Sequence, residues 1–318
     1  MDILSCTDTN FVIPLGVMLH SLCVNDEGGH ELHFHIIVDD TVTKRQKEEL
    51  QSVVSEKGDI CFYLINIENI KEYLVVKVEN FPIPIYYRLL VAKILPETVH
   101  KVLYLDADMI IRHDLSELWN VPLVEKAVAA IPNQSDCSQY WERLGYEKNL
   151  GYFNSGVLLF NLDYIRKHHL TTKFIDYIKE NPEKLLCPDQ DVLNYVLRNC
   201  KVTLPVRYNA QEGFYREPPE HVFGDADEFE KDIQDPYVVH YTKEKPWAKD
   251  CRHPLKNLYY FYKTSTPWAD SVFMENFKYK KIHSSPILKL KVLIAKSLGK
   301  LRAEKSMKIA YQTINLKK

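Results

Sequence analysis

Asp106 and Asp108 flank Ala107 directly after the apolar run Val102–Leu105. That run reads as a short buried strand, and residues i and i+2 at a strand end share a face. In an open parallel sheet, ligands bind at the carboxyl ends of the strands. Two carboxylates held there repel each other unless something positive sits between them. A divalent cation does this through oxygen ligands, and it also takes up a diphosphate. The competing reading is a pair of turn or helix-capping aspartates. DxD alone is a weak motif, and the apolar strand before it makes it more specific. His240 closes another apolar run, Tyr237–Tyr241, and offers an imidazole to the same ion if that strand ends in the same sheet. A lone histidine is otherwise more often a satisfied core or surface residue. Two carboxylates and one imidazole suit Mn2+ better than Ca2+.

Other residues could complete such a site. Asp189, Gln190 and Asp191 open a helix after Pro188. Asp189 or Gln190 would stand beside a reacting carbon, or the acids simply answer the positive helix N-terminus. Arg88 lies among apolar residues in Tyr86–Leu95 and needs an anionic partner, since an unpaired buried guanidinium is costly. Lys245, before Pro246 and Trp247, is placed to hold a phosphate; the plain alternative is a surface lysine.

The elements that must position these residues follow from pattern. Asp2–Cys6 reads as a strand, followed by turn formers and a helix from Pro14 to about Cys23, with Leu15, Met18, Leu19 and Leu22 at helical spacing. Leu32–Val38 is a second strand, 43–55 a charged helix capped by Thr43, and Ile60–Ile65 a third strand. This alternation predicts right-handed crossovers and a mostly parallel α/β sheet flanked by helices. Tyr86–Leu95 reads as helical and Ala127–Ile131 as a further strand.

With 318 residues, 46% apolar and 26% charged, the chain is neither disordered nor low-complexity. Its seven cysteines form no CxxC pair, which argues against a disulfide framework or zinc site and for a reducing compartment. The N-terminus does not read as a signal peptide, and no apolar run approaches a membrane span. Charge is uneven. Residues 278–318 hold 12 Lys/Arg against one Glu, while residues 1–277 carry an acidic excess. The division is therefore 1–277 as catalytic body and 278–318 as basic helical tail. In the tail, Ile287, Leu290, Ile294, Leu298 and Leu301 cluster opposite Lys289, Lys296 and Lys300, though Lys291 and Lys305 fall on the apolar side. A solvated terminal helix is the bland reading. An interfacial anchor for anionic lipid is the one favoured. Nucleic-acid binding is not expected, because the tail has few interleaved aromatics beyond Tyr279 and Tyr311.

Taken together, DILSCTDTN, YYRLL, KVLYLDADMII, YFNSGVLLFNL, PDQDVLN and HYTKEKPW resemble, in order, glycosyltransferase family 8 over about residues 1–265. These are retaining enzymes that include bacterial lipopolysaccharide galactosyl- and glucosyltransferases and glycogenin. The resemblance implies a GT-A fold and a UDP-sugar donor bound through Mn2+, with Mg2+ as the alternative ion. By position, Thr7, Asp8 and Asn10 would contact uridine. Asp106, Asp108 and His240 would ligate the metal, with Ala107 between them on the donor. Arg88 would hold the donor near Asp106, and Asn154, Ser155 and Gly156 would line the sugar pocket. Asp189 and Gln190 would face the transferred sugar as the catalytic pair, and Lys245 would bind the diphosphate. The implied donor is UDP-galactose or UDP-glucose, and the acceptor a glycan or lipid-linked sugar of the cell envelope. The implied location is cytoplasmic, peripheral on the inner face of the cell membrane, in agreement with the tail.

Two departures stand out. The turn after His240 reads Thr242-Lys243-Glu244 where the family often has Gly, and Asn133 stands where some members have Asp. Competing readings are a haloacid-dehalogenase-type phosphatase, suggested by VLYLDADMI, and a non-catalytic glycan-binding protein on a transferase fold. The former lacks a later GDxxxD: Gly224-Asp225 meets Phe229 at the needed position.

Overall fold

The computed structural model describes residues 1–65, 83–134, 140–215, 226–249 and 251–271. In chain order the strands are β1 (Asp2–Thr7), β2 (Leu32–Val38), β3 (Gly58–Leu64), β4 (Lys101–Leu105), β5 (Met109–Ile111), β6 (Val128–Pro132), β7 (Phe153–Asn161), β8 (Lys201–Thr203), β9 (Ala210–Gln211) and β10 (Val238–His240). Seven of them form one sheet in the order β3-β2-β1-β4-β7-β6-β8. β1 to β4 pair in parallel, and β6 pairs in parallel with β8. β7 runs against both β4 and β6, so the sheet is parallel save for one reversed strand.

The pleat sends alternate residues into two cores. Ile3, Leu103, Ala129, Val157 and Leu159 point to one side, where α1 (Val12–Asn25) and α2 (Lys44–Val54) lie. Leu4, Val102, Tyr104, Val128, Leu158 and Phe160 point to the other, under the helices Leu162–Lys167, Leu170–Glu180 and Pro188–Leu197. Strands covered on both faces need apolar residues throughout, which explains why β4 and β7 show no polar alternation. α2 starts as its sequence says: Thr43 and Gln46 form a reciprocal capping box. α1 is buried over most of its surface, and Gly16 is required there, because a Cβ would lie 2.0 Å from the Trp268 ring.

A second, three-stranded sheet has the order β5-β10-β9. Its strands are two or three residues long, too short for a periodic signal, and sequence reading identifies neither the sheet nor β8. It overturns one expectation. His240 does not end a strand of the same sheet as Asp106; β10 belongs to the small sheet, antiparallel to β5 with His240 opposite Met109. A second expectation shifts in kind. Tyr86–Leu95 is not one helix, since Ile83–Leu90 is a 3-10 helix followed by a single α turn, Val91–Ile94. Among the described residues, no helix is long and apolar enough to cross a membrane. The tail 278–318 and its boundary at 277 lie outside the described residues.

Candidate active site

The acidic pair occupies the link between the sheets. β4 ends at Leu105, Asp106 to Asp108 form the bend, and β5 begins at Met109. The two carboxylates therefore converge through a bend rather than through the strand pleat. β10 returns alongside β5, the Tyr241 amide donates to the Asp108 carbonyl at 3.0 Å, and His240 meets the acids. Its Nε2 lies 3.4 Å from Asp108 Oδ1 and 3.8 Å from Asp106 Oδ2. One ligating atom from each of the three residues falls within 4.8 Å of the others. Gly156, in β7, forms the floor: a Cβ there would sit 2.3 Å from His240 Cε1 and 2.9 Å from Asp106 Oδ2. Two anionic oxygens, a ring nitrogen and a cradle with no room for a methyl group fit a small divalent cation.

Charge balance around the acids is nearly local. Arg88 is buried and divides its guanidinium between Asp106 (2.9 Å) and Asp189 (3.2 Å), while also donating to the Ser155 carbonyl at 2.7 Å. It stacks over Tyr104, whose hydroxyl donates to Asp106 at 2.6 Å. Burial alone would lower the Arg88 pKa; Asp106, Tyr104 and Asp189 hold it well above the ordinary value. The anionic partner that the sequence demanded is thus a pair of carboxylates. Lys245 donates to Asp108 and to the Tyr241 carbonyl. Burial pushes the Asp108 carboxyl up, but Lys245 and His240 outweigh it and hold the group far below the usual carboxylate range. Asp189 goes the other way: burial raises it, and Arg88 and Ser155 offset only part of that.

The helix Pro188–Leu197 separates the acids of PDQD. Asp191 is fully buried and structural: it takes two bonds from Arg143 (2.8 and 3.0 Å), one from the Tyr152 hydroxyl, and the amides of Leu186 and Cys187. Asn194 pins the helix to β7 by bonding both the amide and the carbonyl of Phe153 at 2.8 Å. That anchoring presents Asp189 and Gln190 to Asn154 and Ser155. The Ser155 hydroxyl donates to Asp189 at 2.9 Å, and Gln190 Oε1 accepts from the Ser155 amide at 3.0 Å and Asn154 Nδ2 at 3.1 Å.

Thr7 ends β1, the strand beside β4, and Asp8 and Asn10 follow it. Asp8 Oδ1 accepts the amides of Asn10 (2.9 Å) and Phe11 (3.1 Å), which makes it the turn former that launches α1. The Ala107 side chain packs into the apolar core, so only its backbone can face a donor. Two polar residues of the cluster escaped sequence reading. Tyr104 hides within an apolar strand. Asn209, fully buried, precedes β9 in an irregular stretch with no pattern to mark it, and its Oδ1 lies 2.8 Å from His240 Nδ1. A separate pocket of about 590 Å3, lined by Tyr140, Trp141, Tyr152, Lys148 and Lys201, does not include the acids. Asn133 lines it and also stands 3.5 Å from Asn154.

The chain matches Glycosyl transferase family 8 over residues 2–251. It is 30% identical over 278 residues to general stress protein A of Bacillus subtilis, covering 84% of this chain and 94% of that protein. To the lipopolysaccharide glucosyltransferase WaaO of Escherichia coli it is 28% identical over 287 residues, covering 86% and 81%. To the lipopolysaccharide 1,3-galactosyltransferase of Salmonella typhimurium it is 27% identical over 273 residues, covering 82% and 77%. The crystal structure of galactosyltransferase LgtC with donor and acceptor sugar analogues aligns with a TM-score of 0.75 at 23% identity, covering 84% of this chain and 96% of that one. A sheet with one reversed strand, an acidic bend where it meets a smaller sheet, and a family match through nearly all of the described residues converge: the chain belongs to glycosyltransferase family 8 and has the GT-A fold.

Proposed function

We propose that the chain transfers a hexose, with retention, from UDP-galactose or UDP-glucose to a glycan or lipid-linked acceptor in the synthesis of lipopolysaccharide or another envelope polysaccharide. The convergence of Asp106, Asp108 and His240 beside the Arg88–Asp189 pair carries this reading. In it, those three residues hold Mn2+ or Mg2+. When bound, the cation neutralises charge on the departing diphosphate. Thr7, Asp8 and Asn10 contact uridine. Arg88 fixes the carboxylates around the donor, Lys245 moves from Asp108 to the diphosphate, and Asn154, Ser155 and Gly156 line the sugar pocket.

Retention needs either a carboxylate nucleophile or attack on the face that UDP leaves. Asp189 Oδ2 is bonded to Arg88 and Ser155, and Gln190 Oε1 to Ser155 and Asn154. The guanidinium paired with Asp189 lowers the nucleophilicity of that carboxylate, and Gln190 is a neutral amide, which favours same-face attack. The bond from the anomeric carbon to the phosphate oxygen breaks, the acceptor oxygen bonds to that carbon, and the acceptor proton passes to the departing phosphate. Asp189 and Gln190 then shape the sugar pocket and face the developing positive charge. A cytoplasmic position on the inner membrane face, with the tail on anionic lipid, completes the reading.

The test is UDP release from a panel of UDP-sugars with Mn2+, with Mg2+ and with chelator. Release should require the cation, and Asp106→Asn should reduce it by about 100-fold or more even at saturating cation. Near-normal turnover in Asp106→Asn would overturn the metal assignment. No release from any UDP-sugar by the wild type would favour the glycan-binding alternative.

A further inference from the structure

A chain of hydrogen bonds links the backbone of β7 to the imidazole of His240. It begins at the Gly156 amide, which can only donate, and which lies 2.9 Å from one end of the Asn154 side chain. That end must be the carbonyl oxygen, Oδ1. Asn209 approaches the same oxygen at 2.9 Å and must therefore present its NH2 group. The opposite end of Asn209 is then its own carbonyl oxygen, 2.8 Å from His240 Nδ1. An oxygen there requires a hydrogen on Nδ1. In its neutral form the ring then carries its lone pair on Nε2, the atom that faces Asp106 and Asp108.

We infer that Asn209 is a positioning residue that sets the tautomer and heading of His240, so that Nε2 is offered to the cation. The inference rests on the metal reading above. Asn209 and His240 are both buried, so bulk water cannot take over the bond. The ring is confined by Gly156, where even a methyl group would collide with Cε1. Without Asn209 the ring could carry its hydrogen on Nε2 instead, and Nε2 would donate to a carboxylate rather than to a metal. Groups that fix the distal nitrogen of a ligating histidine act on affinity without touching the ion. Asn154 is shared: its Nδ2 reaches Gln190 at 3.1 Å, so the same amide that orients the relay also contacts one of the two proposed sugar-facing residues.

The experiment compares wild type, Asn209→Leu and Asn209→Asp without any donor. Leu keeps the shape and removes the bond; Asp keeps an acceptor for the Nδ1 hydrogen. Nitrogen-15 NMR of labelled histidines reads the tautomer, with the His240 signal assigned by its loss in His240→Gln. Electron paramagnetic resonance of free Mn2+ reads affinity, and thermal melting of the metal-free proteins reads folding. Wild type should show hydrogen on Nδ1. Asn209→Leu should lose that preference and bind Mn2+ about 10- to 100-fold more weakly, and Asn209→Asp should keep the tautomer and stay within about fivefold of wild type. A neutral wild-type ring with hydrogen on Nε2 and none on Nδ1, or unchanged tautomer and affinity in a folded Asn209→Leu, overturns the inference. If Leu does not fold, Asp decides: loss of the Nδ1 hydrogen in that variant overturns it and retention supports it. A wild type that binds no Mn2+ defeats the metal reading instead, while the tautomer still judges the relay.

Discussion

At Gly156 the absence of a side chain is what leaves room for two of the proposed metal ligands. The His240 ring and the Asp106 carboxylate close over the space that a methyl group would fill. Gly156→Ala should therefore push both ligands apart. Overpacking of this kind costs about 1–3 kcal/mol of stability, and the displaced ligands should weaken Mn2+ binding by about tenfold or more. Thermal melts together with Mn2+ titration check this, and unchanged affinity would contradict the cradle geometry. The acidic pair was legible in sequence because an apolar strand leads directly into it. Arg88 was legible because a guanidinium among apolar residues demands an anion. Asn209 was not: an amide earns its role from what surrounds it, and its neighbours Asn154 and His240 lie 55 and 31 residues away along the chain.

Among the elements, β8 carries a testable strain. Burial lowers the Lys201 ammonium to about 8, although it donates to the carbonyls of Leu150 and Arg198. Between pH 8 and the ordinary lysine value the unfolded chain keeps a proton that the folded chain has lost, so stability rises with pH across that window. Below it, folding bears the full cost of the buried charge. Denaturant unfolding of wild type and Lys201→Met, at pH 7.5 and at pH 10, should show wild type gaining about 1–3 kcal/mol relative to the variant. Parallel pH profiles would show that Lys201 titrates normally. Long elements with a clear period, such as β2 and α2, sat where sequence placed them. Of the strands of two or three residues, β10 registered as the apolar run Tyr237–Tyr241, whereas β5, β8 and β9 did not; neither did the 3-10 geometry around Arg88, since apolar spacing alone does not distinguish a tight helix from an α-helix.

For the whole molecule, the acidic body and basic tail divide the labour proposed here. If residues 278–318 hold the enzyme on anionic lipid, a chain ending at 277 should stop sedimenting with phosphatidylglycerol vesicles. It should still release UDP with a soluble acceptor. The full chain should detach at high salt, since each Lys or Arg near such a surface contributes about 1 kcal/mol that ions screen. Equal vesicle binding by both chains would remove the tail from the reading. The crossover rule made the parallel sheet legible. The β5–β10 pairing of the small sheet joins segments more than a hundred residues apart, and no local pattern announces it.

Two carboxylates hang on the hinge between the sheets, and the imidazole projects from the smaller one. Any ion gripping all three acts as a rivet through that seam. Departure of such an ion and loosening of the small sheet would then be a single event, along the line where the proposed transfer takes place.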